Sequence, residues 1–470
     1  MGKREHYKRV IMFLASVLIL ALETAIFAAV WFKCFAKTDV IGRGFVRGNY
    51  VIIGQYALML YLFFRIYGGF KVGYLRVFEV LFSQILSVIC VNIITYLQMA
   101  LIGRWKFGTN AVPFIYMTAI DLVIVVIWVV GMRWVYARIY PPRKMLLIYG
   151  DKNPHDLIRK ISSREDKYNI CEKVHLSRGE DYIQKKIDEY PAVILADIPA
   201  HERNVYLKYC FEKDIRCYSI PKISDILLRN ADDIHLFDTT LLLSRNRRLT
   251  AEQLFVKRAM DIVFSLLGLV LASPFMLIIA VLIKAYDGGP VFYKQPRLTK
   301  DGKVFYILKF RSMKVESETQ GARLACKEDD RITPVGRVIR NIHFDELPQI
   351  FNILKGDMSL VGPRPERPEI AAQYRREIPE FDYRLKVKAG LTGYAQVYGK
   401  YNTTPYDKLK LDLTYIETYS VILDIKLLML TFKILFQKEN TEGVEPWQVT
   451  AATKENGRES PEEKENSAAK

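Results

Sequence analysis

The 470-residue chain has six cysteines, and no two of them stand in a C-x-x-C pair. Cys34, Cys90, Cys171, Cys210, Cys217 and Cys326 are scattered, which excludes a zinc-ribbon or thioredoxin-type site and reads as free thiols in a reducing compartment. No helix-turn-helix, zinc-finger or RNA-binding pattern is present, so nucleic acid is not an expected partner. Acidic residues are in deficit: 51 Asp and Glu against 68 Lys and Arg, a formal charge of +17. That surplus implies an anionic partner, and acidic lipid headgroups or phosphorylated substrates fit. The first apolar stretch is not followed by a small-residue cleavage site, so it reads as a membrane span and not a removed signal.

Half of the residues are hydrophobic and a quarter are charged, a mixture expected of a membrane part joined to polar domains. Four apolar stretches, Val10–Phe32, Tyr50–Ile66, Val77–Ile102 and Val112–Trp134, approach or exceed the roughly 20 residues of a spanning helix. Lys3, Arg4, Lys8 and Arg9 precede the first. Arg65, Lys71 and Arg76 lie between the second and third, and Arg133, Arg138, Arg143 and Lys144 follow the fourth. This asymmetry predicts a cytoplasmic N-terminus and a chain that returns to the cytoplasm after four spans.

The expected domains are a four-helix transmembrane region over 1–140, a small α/β domain over 145–228, a linker over 229–256, a catalytic domain over 257–437 and a disordered tail over 438–470. In the α/β domain, the runs Met145–Tyr149, Ala192–Ala196 and Ile215–Ile220 alternate with helical patterns at Asp181–Tyr190 and Arg203–Lys213. The turn Gly150-Asp151-Lys152-Asn153-Pro154 lacks the G-x-G-x-x-G through which a backbone approaches a pyrophosphate, so a scaffolding or regulatory role is expected there. The linker is polar and irregular, with Arg245, Arg247 and Arg248 close together.

A fifth apolar segment, Ile262–Ile283, is long enough to cross, but Ser273-Pro274 sits at its middle and basic residues flank both ends. Proline removes a helix hydrogen bond, and two positive flanks favour a re-entrant hairpin that leaves on the side it entered, with a proline-kinked spanning helix as the alternative. Ser273 could satisfy the carbonyl that Pro274 frees. A last apolar stretch, Ile422–Phe436, contains Asp424, Lys426 and Lys433 and reads as an amphipathic helix at the lipid interface, with a soluble core helix as the alternative.

The run from His343 to Gly356 reads as one helix, with Asp345 as N-cap and Leu347, Ile350, Phe351 and Leu354 as its buried stripe. Alone, Asp345 and Glu346 are an ordinary acidic helix start. Their surroundings suggest more: Arg331, Arg337 and Arg340 precede them, Arg364 follows in Gly362-Pro363-Arg364-Pro365, and Lys309, Arg311 and Lys314 lie upstream. Carboxylates, a helix start and several arginines together are suited to phosphoryl transfer. A solvated basic face would have the same composition.

The ordered motifs carry a resemblance. Lys257-Arg258 with Asp261, Ser273-Pro274, Gly289-Pro290-Val291-Phe292, Lys309-Phe310-Arg311-Ser312-Met313, Asp345-Glu346-Leu347-Pro348-Gln349, Lys355 to Pro365 and Gly390 to Val397 together resemble the bacterial sugar transferases, the monotopic polyprenyl-phosphate phosphoglycosyl transferases. The match runs through most of Lys257–Gln437. The layout is similar to long members, with four membrane helices and a degenerate Rossmann-like domain before a mainly helical catalytic domain that carries a re-entrant membrane helix-hairpin.

This resemblance implies transfer of sugar 1-phosphate from a UDP-sugar to undecaprenyl phosphate at the cytoplasmic membrane, the initiating step of exopolysaccharide, capsule or O-antigen synthesis. It implies Asp345 as nucleophile, Glu346 as its catalytic partner, and Mg²⁺ held by Asp345 and Glu346. It places Arg340, Arg364, Lys309, Arg311, Pro363, Pro365 and Gln396 against substrate, Ser273 and Pro274 at the helix break, and a homodimer among the expectations. Leu298 stands where the family usually has glycine, and His343-Phe344 replaces the usual pair before the dyad. Two other functions fit a chain of this layout: a non-catalytic scaffold for polysaccharide assembly, and a lipid-acceptor glycosyltransferase that releases UDP.

Overall fold

The computed structural model describes residues 7–36, 46–102, 111–150, 154–244, 249–314, 331–399 and 403–435. The tail expected over 438–470 and the triplet Arg245, Arg247 and Arg248 lie outside them. The chain forms two compact units, Met1–Ile220 and Pro221–Lys470. It is mostly helical, and among the described residues five helices are long and apolar enough to cross a membrane.

The first unit begins with helices α1 (Lys8–Val30), α2 (Val46–Tyr67), α3 (Val77–Ile102) and α4 (Ala111–Ile139). A π-helical turn, Trp31–Phe35, extends α1. The four pack through Ile19, Phe27, Tyr56, Leu60, Val88, Met117 and Val125, while residues such as Phe13, Leu58, Ile115 and Ile127 face outward. An apolar exterior around a packed interior is the pattern of helices solvated by lipid. At one end Lys8 Nζ donates to Tyr136 Oη (2.6 Å), joining the start of α1 to the end of α4. Arg164 donates to Tyr74 O (2.6 Å) and Lys167 lies 4.5 Å from the Tyr74 ring centre, so the α2–α3 turn and the α/β part share that end.

The α/β part contains β1 (Arg143–Tyr149), α5 (His155–Ser162), β2 (Tyr168–His175), α6 (Glu180–Asp188), β3 (Ala192–Ala196), α7 (Ala200–Glu212) and β4 (Arg216–Ser219). Its sheet is parallel throughout, in the order β2-β1-β3-β4. Strand β2 was not expected from the sequence: Tyr168–His175 buries little on this edge and carries no apolar run. The central strands β1 and β3, buried on both faces, were expected, because parallel interior strands read as continuous apolar runs.

The second unit starts earlier than the sequence suggested. Helix α8 (Ile223–Leu228), expected with the α/β domain, buries Ile223 and Ile226 in the core of the C-terminal unit. The linker expected to be irregular contains an antiparallel hairpin, β5 (Asp232–Leu236) with β6 (Thr239–Leu243), whose exposed, mixed side chains hid its period. Then come α9 (Ala251–Asp287), the hairpin β7 (Phe292–Leu298) and β8 (Val304–Phe310), α10 (Pro334–Asn341), α11 (Gln349–Lys355), β9 (Ser359–Val361), α12 (Pro368–Glu377), β10 (Gly390–Thr392), α13 (Tyr394–Tyr398), α14 (Pro405–Glu417) and α15 (Val421–Leu435).

Helix α9 is assigned as a single 37-residue helix that runs through Ser273 and Pro274, not as two helices separated by a turn. The proline lacks the N–H that would bond Val270 O, and Ser273 Oγ donates to that same carbonyl at 2.9 Å. This local bond satisfies the carbonyl that the proline leaves free and so offsets part of the proline's cost to the helix. A capping box at Thr250 and Gln253 starts α9, and Gly288, at φ 68°, stops it.

Candidate active site

Three polar ties fix α9 beneath the site. Lys257 Nζ donates to Val361 O (2.9 Å) and pairs with Asp424 (2.6 Å), whose other oxygen accepts from Tyr415 Oη (2.8 Å). Arg258 donates to Ile353 O and Leu354 O (2.6 and 2.7 Å), satisfying the free carbonyls at the end of α11. Asp261 accepts from Ser359 Oγ and from Leu360 N, both at 2.9 Å. Thus Asp424 and Lys433, which looked like polar interruptions in the last apolar stretch, face inward on α15, while Ile422, Ile425, Phe432 and Leu435 face outward.

The carboxylate pair stands on a tighter turn than expected. Phe344–Glu346 is a 3₁₀ turn entered from His343 at φ 57°, and α11 begins only at Gln349. Asp345 therefore caps no helix. Pro348, which cannot donate to a preceding carbonyl, separates the turn from α11. Asn352 holds α11 to the β-hairpin by accepting from Leu308 N (2.9 Å) and donating to Tyr306 O (2.8 Å).

Asp345 is buried, and Glu346 is half-buried beside a cleft lined by Arg297, Ile307, Lys309, Glu346, Gln349, Arg364, Pro365, Gly390 and Leu391. Glu346 Oε1 receives Lys309 Nζ at 2.6 Å and Arg364 Nη2 at 3.1 Å. Burial pushes the Glu346 carboxyl up, but Lys309 and Arg364 outweigh it and hold the group well below the usual carboxylate range. Asp345 moves the other way: burial and the Glu346 charge raise it, against Lys309 and Arg340. Two adjacent carboxyls with environments that push them apart are suited to different roles.

The sequence-derived candidates divide accordingly. Lys309 and Arg364 meet at Glu346, and Arg340 acts on Asp345 from the end of α10. Pro365 lines the cleft, and Pro363 fixes its loop by accepting from Gly390 N (2.9 Å). Arg311 does not join them: its guanidinium is spent on Asp287 at the end of α9. Gln396 lies outside the cleft lining and donates to Leu391 O (3.2 Å).

Two residues that the sequence reading did not select matter here. Arg297 enters the cleft and holds Pro365 O at 3.0 Å. Buried Arg384 pairs with buried Asp412 (2.8 Å) and donates to Arg364 O (2.9 Å), setting the backbone of the arginine loop. Arg384 lies 38 residues beyond Glu346 in an unremarkable charged stretch, so only tertiary contact reveals it. Close backbone approach adds to this: a Cβ on Gly390 would stand 2.1 Å from Gly362 N. Gly390→Ala should therefore lower the unfolding temperature and displace Arg364, seen as weaker donor binding.

Among the described residues no group of three or more His, Cys, Asp or Glu side chains stands together. A cation at this dyad would have two carboxylates and complete its shell with phosphate oxygens and water, a donor set that fits Mg²⁺.

Similarity to a family profile and to three characterised relatives bears on identity. The family profile described as bacterial sugar transferase matches residues 252–438. Over 403 residues the chain is 32% identical to the UDP-N-acetylgalactosamine-undecaprenyl-phosphate N-acetylgalactosaminephosphotransferase of Aeromonas hydrophila, covering 84% of this chain and 88% of that protein. It is 43% identical over 181 residues to the UDP-glucose:undecaprenyl-phosphate glucose-1-phosphate transferase of Escherichia coli (strain K12), 37% of this chain and 39% of that one. It is 36% identical over 238 residues to the undecaprenyl-phosphate galactose phosphotransferase of Salmonella typhimurium, 47% of this chain and 49% of that protein. With near full-length similarity to the first and a cationic cleft at Glu346 where the family profile matches, the chain belongs to the bacterial sugar transferase family and is a transferase of that kind.

Proposed function

We propose that the enzyme transfers sugar 1-phosphate from a UDP-sugar to undecaprenyl phosphate through an aspartyl intermediate, initiating exopolysaccharide, capsule or O-antigen synthesis. The observation that carries this reading is the arrangement at the dyad: a buried Asp345 beside a Glu346 neutralised by Lys309 and Arg364. An Asp345 Oδ attacks the phosphorus that bears the sugar, and the bond from that phosphorus to the UMP oxygen breaks. An oxygen of undecaprenyl phosphate then attacks the same phosphorus and releases Asp345 with polyprenyl diphosphosugar. Lys309, Arg364, Arg340 and Arg297 supply the positive charge that a diphosphate requires. Mg²⁺, held by Asp345 and Glu346, would neutralise phosphate charge.

A membrane position for this chemistry has support in α9. Its two ends are held by the same polar unit, Lys257 to Val361 and Asp287 to Arg311, while Val270, Leu271, Leu277 and Ile278 between them are exposed. A spanning helix would put those ends on opposite faces, so a re-entrant helix centred on Ser273 and Pro274 agrees better. The outward Ile422 and Phe432 of α15 suit the same lipid interface. The basic ends of α1, the α2–α3 turn and α4 gather together, as expected of the cytoplasmic face of an inner membrane. The α/β part, a parallel sheet in the order β2-β1-β3-β4, serves as a scaffold or regulator, and a homodimer belongs to the same reading.

The test is nucleotide release from membranes given Mg²⁺, undecaprenyl phosphate and a panel of UDP-sugars. UMP formation supports the proposal. UDP would indicate direct glycosyl transfer, and no turnover with any sugar would favour a scaffold. A second expectation concerns pH. The attacking Asp345 must be ionised, and its environment raises it above its ordinary 3.8. Activity should therefore fall at the acid side as this raised group protonates. Lys309→Met removes a charge that lowers Asp345, so the acid limb of kcat/KM should move to higher pH, whatever the loss in maximal rate. A limb that stays in place contradicts Asp345 as the titrating group.

A further inference from the structure

The membrane bundle contains a second acidic pair. Glu23 of α1 and Asp121 of α4 are both 0% exposed, and each carboxyl acts on the other. Ionisable groups at such positions are costly and tend to be functional. The surrounding donors can be counted. Tyr56 Oη of α2 donates to Asn92 Oδ1 of α3 at 2.8 Å. Asn92 Nδ2 uses its two hydrogens on Thr118 Oγ1 and Asp121 Oδ2, both at 2.9 Å. Thr118 Oγ1 of α4 donates to Phe114 O at 2.8 Å. Every donor is spent, and three carboxyl oxygens, Glu23 Oε1, Glu23 Oε2 and Asp121 Oδ1, remain buried without a partner.

Tyr56 and the two acids themselves are the ionisable groups that act on this cluster. No lysine, arginine or histidine among the described residues acts on either carboxyl. Two facing carboxylates without a cation in a dry bundle repel each other and lose hydration, so something positive must be taken up.

We propose that this cluster is a proton-binding site: the Glu23 carboxyl holds a proton and donates it to Asp121 Oδ1, joining α1 to the rest of the bundle. The proton belongs on Glu23 because Asp121 already accepts an amide hydrogen from Asn92, which favours its ionised form, whereas Glu23 has no donor at all. One proton then satisfies two of the three orphan oxygens and leaves a single charge that receives two hydrogen bonds. The site is remote in sequence from Asp345 and does not rest on the reading of the transferase reaction.

The test is infrared spectroscopy on the full chain in lipid nanodiscs, following the C=O stretch of protonated carboxyl groups. At neutral pH the wild type should show a band that Glu23→Gln loses. Its amide can donate to Asp121 in place of the acid, so that variant should keep its unfolding temperature, whereas Glu23→Ala should lower it. In the wild type alone, the band should disappear at alkaline pH and be unchanged when choline replaces Na⁺. A band identical in wild type and Glu23→Gln overturns the proposal. So does a band that grows as Na⁺ is withdrawn at constant pH, which would make the cluster an alkali-ion site.

Discussion

Asp345→Asn should reduce turnover on the order of 10⁴-fold or more while the protein keeps its fold. The substitution preserves size and leaves the 3₁₀ turn Phe344–Glu346 intact, but an amide nitrogen or neutral carbonyl cannot form the acyl phosphate. Loss of a nucleophile removes the covalent route entirely, and reductions of at least about 10⁴-fold, roughly 5 kcal/mol of transition-state stabilisation, are the usual consequence. Unfolding should change little, because Asp345 makes no hydrogen bond that the fold depends on among those described. The measurement is UMP release in single-turnover and steady-state assays with the UDP-sugar that the wild type accepts. Trapping labelled phosphosugar on the wild type, and none on the variant, would identify the intermediate directly. Undiminished turnover in Asp345→Asn would move the nucleophile elsewhere.

Arg384→Met should be the most destabilising single change in the catalytic unit. Arg384 and Asp412 are 5% and 1% exposed, and Glu366 lies 3.6 Å from the same guanidinium. Removing the cation strands a buried carboxylate that burial already pushes up, and leaves Arg364 O without its donor. Breaking such a pair typically costs about 3–5 kcal/mol, which for a unit of this size corresponds to a drop of roughly 10 °C in unfolding temperature. The double variant Arg384→Met/Asp412→Leu should recover much of that stability, since an apolar pair of similar volume carries no stranded charge. It should not recover full activity, because the Arg364 loop stays unanchored. Equal stability of the wild type and Arg384→Met would show the pair to be incidental.

The contrast between these residues explains what could be read in advance. Asp345 and Glu346 were recognisable because they sit among short, ordered motifs that survive in one dimension. Arg384 and Asp412 act on the same loop, yet they are one arginine and one aspartate in charged segments. Their meaning depends on burial, and a sequence does not state burial for a polar residue. Arg311 is the converse case. Within Lys309-Phe310-Arg311 it shares a motif with a true cleft residue, but Arg311 lies just past the end of β8 and pairs with Asp287, whereas Lys309, still in the strand, pairs with Glu346.

The same distinction holds for the fold. The sequence by itself determined the long apolar helices of the first unit, the interior strands β1 and β3, Ser273 as the partner for the carbonyl that Pro274 frees, and the family. Each of these rests on hydrophobic runs or local backbone chemistry that act over a few neighbouring residues. Only the tertiary structure decided that Asp345 leaves the helix start for a tight buried turn, that α8 joins the C-terminal core, and that Asp424 turns inward to meet Lys257. It alone placed Glu23 and Asp121, 98 residues apart in the chain, in one dry cluster. These outcomes depend on which polar groups find partners at long range, and pairing energies between distant charges leave no period in the sequence.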